Sequence, residues 1–333
     1  VTLPTAFLLH PAASLHDTGW GHPEHQGRLR ALASSVGRDM LALHGRAEQV
    51  APEPASADEL LRVHTEAHVD ALRAAVARAE AAGRPVEFAP ETVVSDASWD
   101  AVLGSLGAAI TACEGVLDGR YSNAFVAARP PGHHCSADAA MGFCPTNTIA
   151  VVARRLIEKG QAERVLIVDW DVHHGNGTQD VFEADPNVFY LSIHEWPQYP
   201  GTGAASESGV GPGAGTTLNV PLPTGTDGPT FLRELRGALD RTLASFVPDF
   251  VLVSSGFDAL AADPLGGFLL EPSDFHAATT ILMETVGAAC EGRIVALLEG
   301  GYEPRATGLA TVSVLRALAG IGVADPTLPV SEV

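Results

Sequence analysis

An α/β protein built on a mostly parallel sheet is what this sequence predicts, and three observations predict it. Short runs of apolar, β-branched residues alternate with helical patterns along most of the chain, as expected where helices carry the crossovers between parallel strands. Within a run the apolar residues are consecutive, as in Val165, Leu166, Ile167 and Val168, which suits strands buried on both faces. Most of the runs end in ionisable residues and glycines, at the carboxyl edge where open parallel sheets bind ligands.

Taken in order, residues 5–10 form a first strand, ending in AFLLH. A loop rich in His, Asp, Gly and Trp then leads into a helix starting near Glu24 or Gln26. His22 and His25 in this loop read as polar groups at a helix start ahead of metal ligands. Helical patterns follow at 57–63 and 65–82. His64 and His68, four apart, can share a helix face, but with no HExxH motif and no strand end nearby they read as structural. Residues 87–98 form a polar loop, in which Asp96 and Ser98 either line an entrance or cap the helix spanning 99–117. Strands are then expected at 123–128, 164–169, 188–193, 217–222, 249–256 and 293–301, with helices at 146–159, 229–246 and 272–291. The longest irregular stretch is the glycine-rich 201–215, and no linker divides the chain. One domain over residues 1–333 is expected, with enough length for a substantial core.

Composition narrows the function. The formal charge of −20 argues against nucleic-acid binding, which relies on Lys and Arg to neutralise phosphates; it favours solubility or a cationic partner. The opening TLPTAFLLHPAA lacks a basic n-region, and no consecutive apolar run reaches the roughly 18 residues of a membrane span, so neither a signal peptide nor membrane association is expected. Cys113, Cys135, Cys144 and Cys290 show no CxxC spacing and suit free thiols in a reducing, cytoplasmic compartment.

The chemistry lies in RVLIVDWDVHHGNGTQ, residues 164–179. A buried strand that finishes in Asp169, Asp171, His173 and His174 needs a partner for those charges, because unpaired charge is costly to desolvate. A divalent metal is such a partner. RPPGHH (129–134), SIH (192–194), SGFD (255–258) and EGGY (299–302) close other strands and should converge on the same edge. Asp171, His173 and Asp258 then make a ligand shell with an open position, as a catalytic zinc site requires; two carboxylates make it harder than most zinc sites and leave Fe²⁺, Co²⁺ or Mn²⁺ as alternative occupants. His133 and His134 follow a stiff Pro-Pro-Gly turn and can act as general base and electrostatic or acid partner. Asp169 is the natural orienting group for one and Asn176 for the other. With a neutral Asn as partner, the second imidazole should hold its proton less firmly. Tyr302, after Gly300 and Gly301, can donate to a substrate carbonyl and its oxyanion. Phe143 and Tyr199 either form a narrow aromatic channel or pack in the core. No Gly-rich phosphate or dinucleotide motif is present in the required context.

With RPPGHH, MGFC, VDWDVHHGNGTQ, YPGTG, SSGFDA followed by DPLGG, and EGGY in this order, the chain resembles the zinc-dependent histone deacetylase family, most closely its class II branch and bacterial amidohydrolase relatives. The resemblance covers roughly residues 5–320. It implies the arginase-like three-layer fold with an eight-stranded sheet, and hydrolysis of an acyl group, most simply acetyl, from the ε-amino group of lysine in a peptide or protein. The alternative is a small N-acyl amine such as an acetylpolyamine. It also implies Zn²⁺ on Asp171, His173 and Asp258, with His133 and His134 as the acid/base pair and Asp169 and Asn176 as their partners. Tyr302 becomes the carbonyl-polarising tyrosine, and Phe143 and Tyr199 the tunnel walls, with Gly142, Gly300 and Leu265 also along the substrate path. A K⁺ is implied on Asp169, on the Ser192 hydroxyl and on the carbonyls of Asp171, His173 and Ile193; the 182–188 turn matches a second such site. Asn176 stands where class I members usually have Asp. Tyr302 is retained, which implies catalytic competence, and Leu265 replaces the glutamate gatekeeper of the polyamine-selective relative. MGFCPTN departs from the commoner asparagine-rich version at Pro145 and Thr146. A homo-oligomer is compatible with the resemblance.

Overall fold

Consecutive apolar residues make strands that need cover on both faces, and the computed structural model, which describes residues 3–323, supplies it. The chain runs β1 (Thr5–Leu8), α1 (Gly27–Leu43), β2 (Ala47–Val50), α2 (Glu66–Ala82), β3 (Val86–Ala89), β4 (Thr92–Val94), α3 (Ser98–Leu117), β5 (Asn123–Val126) and α4 (Thr148–Glu158). It continues through β6 (Val165–Asp169), α5 (Asn176–Phe182), β7 (Val188–Glu195), β8 (Thr217–Leu222), α6 (Gly228–Ser245), β9 (Phe250–Ser255), α7 (Pro272–Val286), β10 (Ile294–Leu298) and α8 (Pro304–Leu318). Eight strands form one sheet in the order β2-β1-β5-β10-β9-β6-β7-β8, and every neighbouring pair is parallel. β3 and β4 pair separately as an antiparallel hairpin.

The two faces of β6 show how the layers form. Leu166 and Val168 pack into a core shared with α1, α6, α7 and α8. Val165 and Ile167 point the other way, into a core shared with α2, α3, α4 and α5. The strand alternation of side chains thus builds two apolar layers from one continuous apolar run. β5, β10, β9, β6 and β7 lie side by side in the middle of the sheet, so the segments that follow them share one edge.

Several expectations change. The 87–98 loop contains the β3–β4 hairpin, with Glu91 at its tip in the left-handed region (φ 61°). Ser98 does not cap α3: Ala97 is the N-cap, and the Ser98 hydroxyl accepts from Ser95 N–H and meets His16 Nδ1 at 2.7 Å. β2, α5 and α8 appear where no regular element was expected, and the 57–63 segment is a 3-10 helix over Ala57–Arg62. α3 is long and apolar enough by composition to cross a membrane, although it lacks a long uninterrupted apolar run. It carries Asp100 and Glu114 and is largely buried against the sheet, as a core helix is. The outermost residues of the expected 1–333 domain lie outside the described residues.

His64 ties α2's approach to the loop before α4. It is 2% exposed, and its Nε2 accepts the Asn147 N–H at 2.9 Å. Protonation would convert that acceptor into a donor facing a donor, and burial with the neighbouring His68 lowers its pKa from 6.5 to about 4. Between pH 6.5 and 4 the unfolded chain therefore binds more protons at this site, so folding stability declines as pH falls through that window. Urea unfolding at pH 7.5 and 4.5 should show a pH-dependent loss in the wild type that is smaller by about 2 kcal/mol in His64→Gln. Equal losses in the two proteins would contradict the assignment.

Candidate active site

β6 delivers Asp169 at its last position and Asp171 and His173 in the turn beyond it, while Asp258 arrives from the segment after β9. Asp171 and Asp258 are fully buried. His173 Nδ1 lies 3.2 Å from Asp171 Oδ1 and 3.1 Å from Asp258 Oδ2. Backbone N–H groups aim the carboxylates: Asp171 Oδ2 accepts from Gly300 at 2.8 Å and Asp258 Oδ1 from Val172 at 2.8 Å. One imidazole proton cannot balance two buried carboxylates. Burial opposes ionisation of both; His133 and His173 hold Asp171 well below the usual range, whereas burial and the Asp171 charge push Asp258 up to about 7. Burial likewise opposes a charged His173, but the two carboxylates raise it to about 10. This converging O, N, O donor set, with an unbalanced negative charge, fits a divalent cation. Gly300 makes the approach possible: a Cβ there would lie 2.1 Å from Asp258 Oδ2 and 2.6 Å from Asp171 Oδ2.

The two tandem imidazoles come from the turn after β5 and lie 4.0 Å apart by ring centroid. His133 Nδ1 faces Asp169 Oδ2 at 3.0 Å, and His134 Nδ1 faces Asn176 Oδ1 at 2.9 Å. Burial lowers the proton affinity of both. For His133 the charges of Asp171 and Asp169 overcome it and raise the pKa well above 6.5; for His134 the charges of His133 and His173 add to it and lower the pKa well below 6.5. The neighbours of the His133 turn are equally specific. Glu299 Oε2 accepts from the Gly132 and His133 N–H groups, at 2.6 and 3.2 Å, and Tyr190 donates its hydroxyl to Asp169.

Tyr302 is 9% exposed, with the Arg28 guanidinium 4.9 Å from its ring centroid. Burial, against the pull of Arg28, keeps its hydroxyl protonated, with the pKa well above 10. Phe143 meets Tyr302 edge-on at 5.6 Å, and Tyr199 meets His134 edge-on at 5.2 Å. Phe143 holds a left-handed backbone (φ 68°) beside Gly142, where a Cβ would collide with the His134 ring at 2.4 Å. Leu265 is half-buried in the turn after Asp258. Asp169 pairs in register with Ser192, and Ile193 follows, so these residues expected to bind K⁺ adjoin where the end of β6 meets the second half of β7. The Ser192 hydroxyl also meets His194 Nδ1 at 2.9 Å.

The residues that position these groups carry weaker sequence signals. Glu24 is buried between Arg28, Arg129 and His16, and Arg28 donates to the carbonyls of Gly301 and Glu299. His22 does not join the metal donors; its ring packs on Phe143 at 4.7 Å, and its Nε2 lies 3.3 Å from the Glu91 carbonyl. His25 Nδ1 accepts from Gly27 N–H at the start of α1. A second buried grouping, His64, His68 and Cys135, has ligand atoms within metal-binding reach. One nitrogen of each ring is engaged elsewhere, His64 Nε2 with Asn147 N–H and His68 Nε2 with the Pro145 carbonyl at 2.8 Å, whereas His64 Nδ1 is buried without a hydrogen-bond partner among the described residues. The two rings stack at 5.0 Å.

Comparison with known proteins gives a consistent result. The histone deacetylase domain family matches residues 22–318. The chain is 33% identical to a probable deacetylase of Archaeoglobus fulgidus, across 95% of this chain and 86% of the relative. It is 34% identical to a histone deacetylase-like amidohydrolase of Pseudomonas aeruginosa, across 98% of this chain and 83% of the relative. The crystal structure of the HDA15 HD domain superposes with a TM-score of 0.88 at 34% identity, covering 98% of this chain and 91% of that one.

Because Gly300 admits the two carboxylates side by side, Gly300→Ala should lower the bound divalent metal per chain to below about a tenth of wild type by elemental analysis while the far-UV circular dichroism stays native-like. Full metal retention in the variant would refute the assigned donor set.

Proposed function

The chain belongs to the histone deacetylase family, with its arginase-like fold and deacetylating amide hydrolysis, and within that activity we propose that it removes acetyl or another short acyl group from the ε-amino group of lysine in a peptide or protein. The observation that carries this reading is the pairing of a single-metal donor set with two imidazoles whose proton affinities are driven apart. We assign Zn²⁺ to Asp171, His173 and Asp258, with Fe²⁺ or Co²⁺ as alternatives; when bound, the ion polarises the acyl carbonyl and acidifies water. K⁺ is assigned to Asp169, Ser192 and Ile193.

In this mechanism His134 is the base. Its Nδ1–H is turned toward Asn176, so Nε2 presents a lone pair, and its low proton affinity keeps that lone pair free near neutral pH. Nε2 takes the proton from water as the water oxygen bonds to the carbonyl carbon, then returns it to the nitrogen as the C–N bond breaks. His133, held charged between Asp169 and Asp171, supplies fixed positive charge beside the developing oxyanion. Tyr302 donates its hydroxyl to the same oxygen. Phe143 and Tyr199, edge-on to Tyr302 and His134, are assigned as the walls along the aliphatic arm; Asn176 favours the class II branch, and the retained Tyr302 favours full catalytic competence. We further assign one catalytic domain, a cytoplasmic location consistent with four free cysteines, and no nucleic-acid partner, given the net charge of −20.

A second reading, deacylation of a small N-acyl amine such as an acetylpolyamine, draws on the exposed Glu91 at the rim, close enough to Tyr199 to help raise its pKa after burial and Cys144. Leu265 weighs against it, since it offers no carboxylate to a distal ammonium. The metal-loaded enzyme should turn over a fluorogenic acetyl-lysine peptide in preference to N-acetylputrescine. Tyr302→Phe should lower kcat by about 10²-fold or more, as loss of an oxyanion donor does. Turnover of the diamine alone, or an unimpaired Tyr302→Phe, would reject the acyl-lysine reading.

A further inference from the structure

We propose that Asp263 is a positioning residue for Tyr302, fixing its backbone and tying it to the turn that carries Leu265. The inference rests on the role given to Tyr302 above. Asp263 is 7% exposed, and among the described residues its carboxylate hydrogen-bonds only to backbone N–H groups. Oδ2 accepts from Tyr302 at 2.5 Å and from Glu303 at 3.3 Å, and Oδ1 accepts from Leu265 at 2.9 Å. Burying a carboxylate against neutral donors is costly, but the charge-assisted bonds it makes are short and directional.

Tyr302 needs such a tether. β10 ends at Leu298, and Gly300 and Gly301 follow before the tyrosine. Gly301 sits at φ 116°, which only glycine adopts readily; the Gly300 N–H and the Gly301 carbonyl are held by Asp171 and Arg28, and the tyrosine's own backbone is held by neither. The Tyr302 N–H is the first beyond that pair, and it goes to Asp263. The far end of the turn is also clamped, because Gly267 N–H donates to the buried Glu195 carboxylate at 2.7 Å. Between the two clamps Gly266 lies against the backbone of Asp258, where a Cβ would be 2.1 Å from the Asp258 carbonyl oxygen. Asp263 therefore references the Tyr302 hydroxyl to the segment that supplies a metal ligand. A misplacement of about 1 Å in a catalytic group can cost 10²-fold in rate.

Asp263→Asn leaves one acceptor oxygen and turns an NH₂ either toward the Leu265 N–H or toward the Tyr302 and Glu303 N–H groups, so the side chain can no longer accept from both sides of the tie. With the acetyl-lysine peptide, kcat should fall about 10-fold or more while KM changes less than about twofold. In a Tyr302→Phe background the same substitution should change kcat by less than about twofold, because no hydroxyl remains to be placed. A residue that merely stabilises the fold would lower kcat by the same factor in both backgrounds, and that result overturns the proposal. Asp263→Ser offers the same comparison if the Asn variant does not fold. The crystal structure of the metal-loaded variant decides the matter independently of substrate: the Tyr302 ring should be displaced with Asp171, His173 and Asp258 unmoved. An unmoved Tyr302 would overturn the proposal even if acetyl-lysine proves to be the substrate, whereas a displaced ring in an enzyme that ignores acetyl-lysine would uphold it and reject only the substrate reading.

Discussion

Two fully buried carboxylates, Asp171 and Asp258, converge on one imidazole nitrogen of His173, and the rest of the site is arranged around that concentration of negative charge. In a low-dielectric interior such a pair is tolerated only with strong compensation. Part of it comes from backbone N–H groups of Gly300 and Val172, part from His133 beside them, and a divalent cation would supply the remainder. The same field separates the two tandem imidazoles. His133 faces two carboxylates and keeps a proton; His134 faces a neutral amide and two other imidazoles and gives its proton up.

A parallel sheet is well suited to hold such a centre. Its five middle strands end side by side, and the residues just past their ends come from segments far apart in the chain, so short loops suffice to bring 133, 171, 258 and 302 together. Below them the support is polar and buried. Glu299 receives the N–H groups of the Gly132–His133 turn, Tyr190 bonds to Asp169, and Glu24 lies between Arg28, Arg129 and His16. Each of these fixes a backbone segment or ring orientation, and precision of that kind separates a catalytic constellation from a cluster of polar residues.

Sequence legibility followed physical cause. β5, β6, β7, β9 and β10 were readable because burial on both faces demands unbroken apolar, β-branched runs, and their terminal ionisable residues stood out against that background. β2 (Ala47–Val50) was not readable: it is a partly exposed edge strand, AEQV, without an apolar pattern. The β3–β4 hairpin turns at Glu91 rather than at an Asn-Gly or Asp-Gly pair, and so lacks the common turn signal. α5 begins at Asn176 and Gly177, poor helix formers, and α8 interrupts its Ala and Leu with Thr307, Thr311, Val312 and Val314 and includes Gly308, which packs against Ser35 and Ala31 of α1. The groups that meet one another at the strand ends were expected from composition and order. Their supports, Glu24, Tyr190, Glu299 and Asp263, were not, because a buried polar side chain that hydrogen-bonds to a distant segment leaves no periodic trace in the chain.

Anomalous diffraction at the zinc edge from crystals of the zinc-reconstituted protein tests whether Asp171, His173 and Asp258 hold a single metal ion. One strong peak is expected within bonding distance of those three side chains, facing the His133–His134 pair. A peak at His64, His68 and Cys135 instead, or a pair of peaks about 3.5–4 Å apart as in two-metal hydrolases, would contradict it.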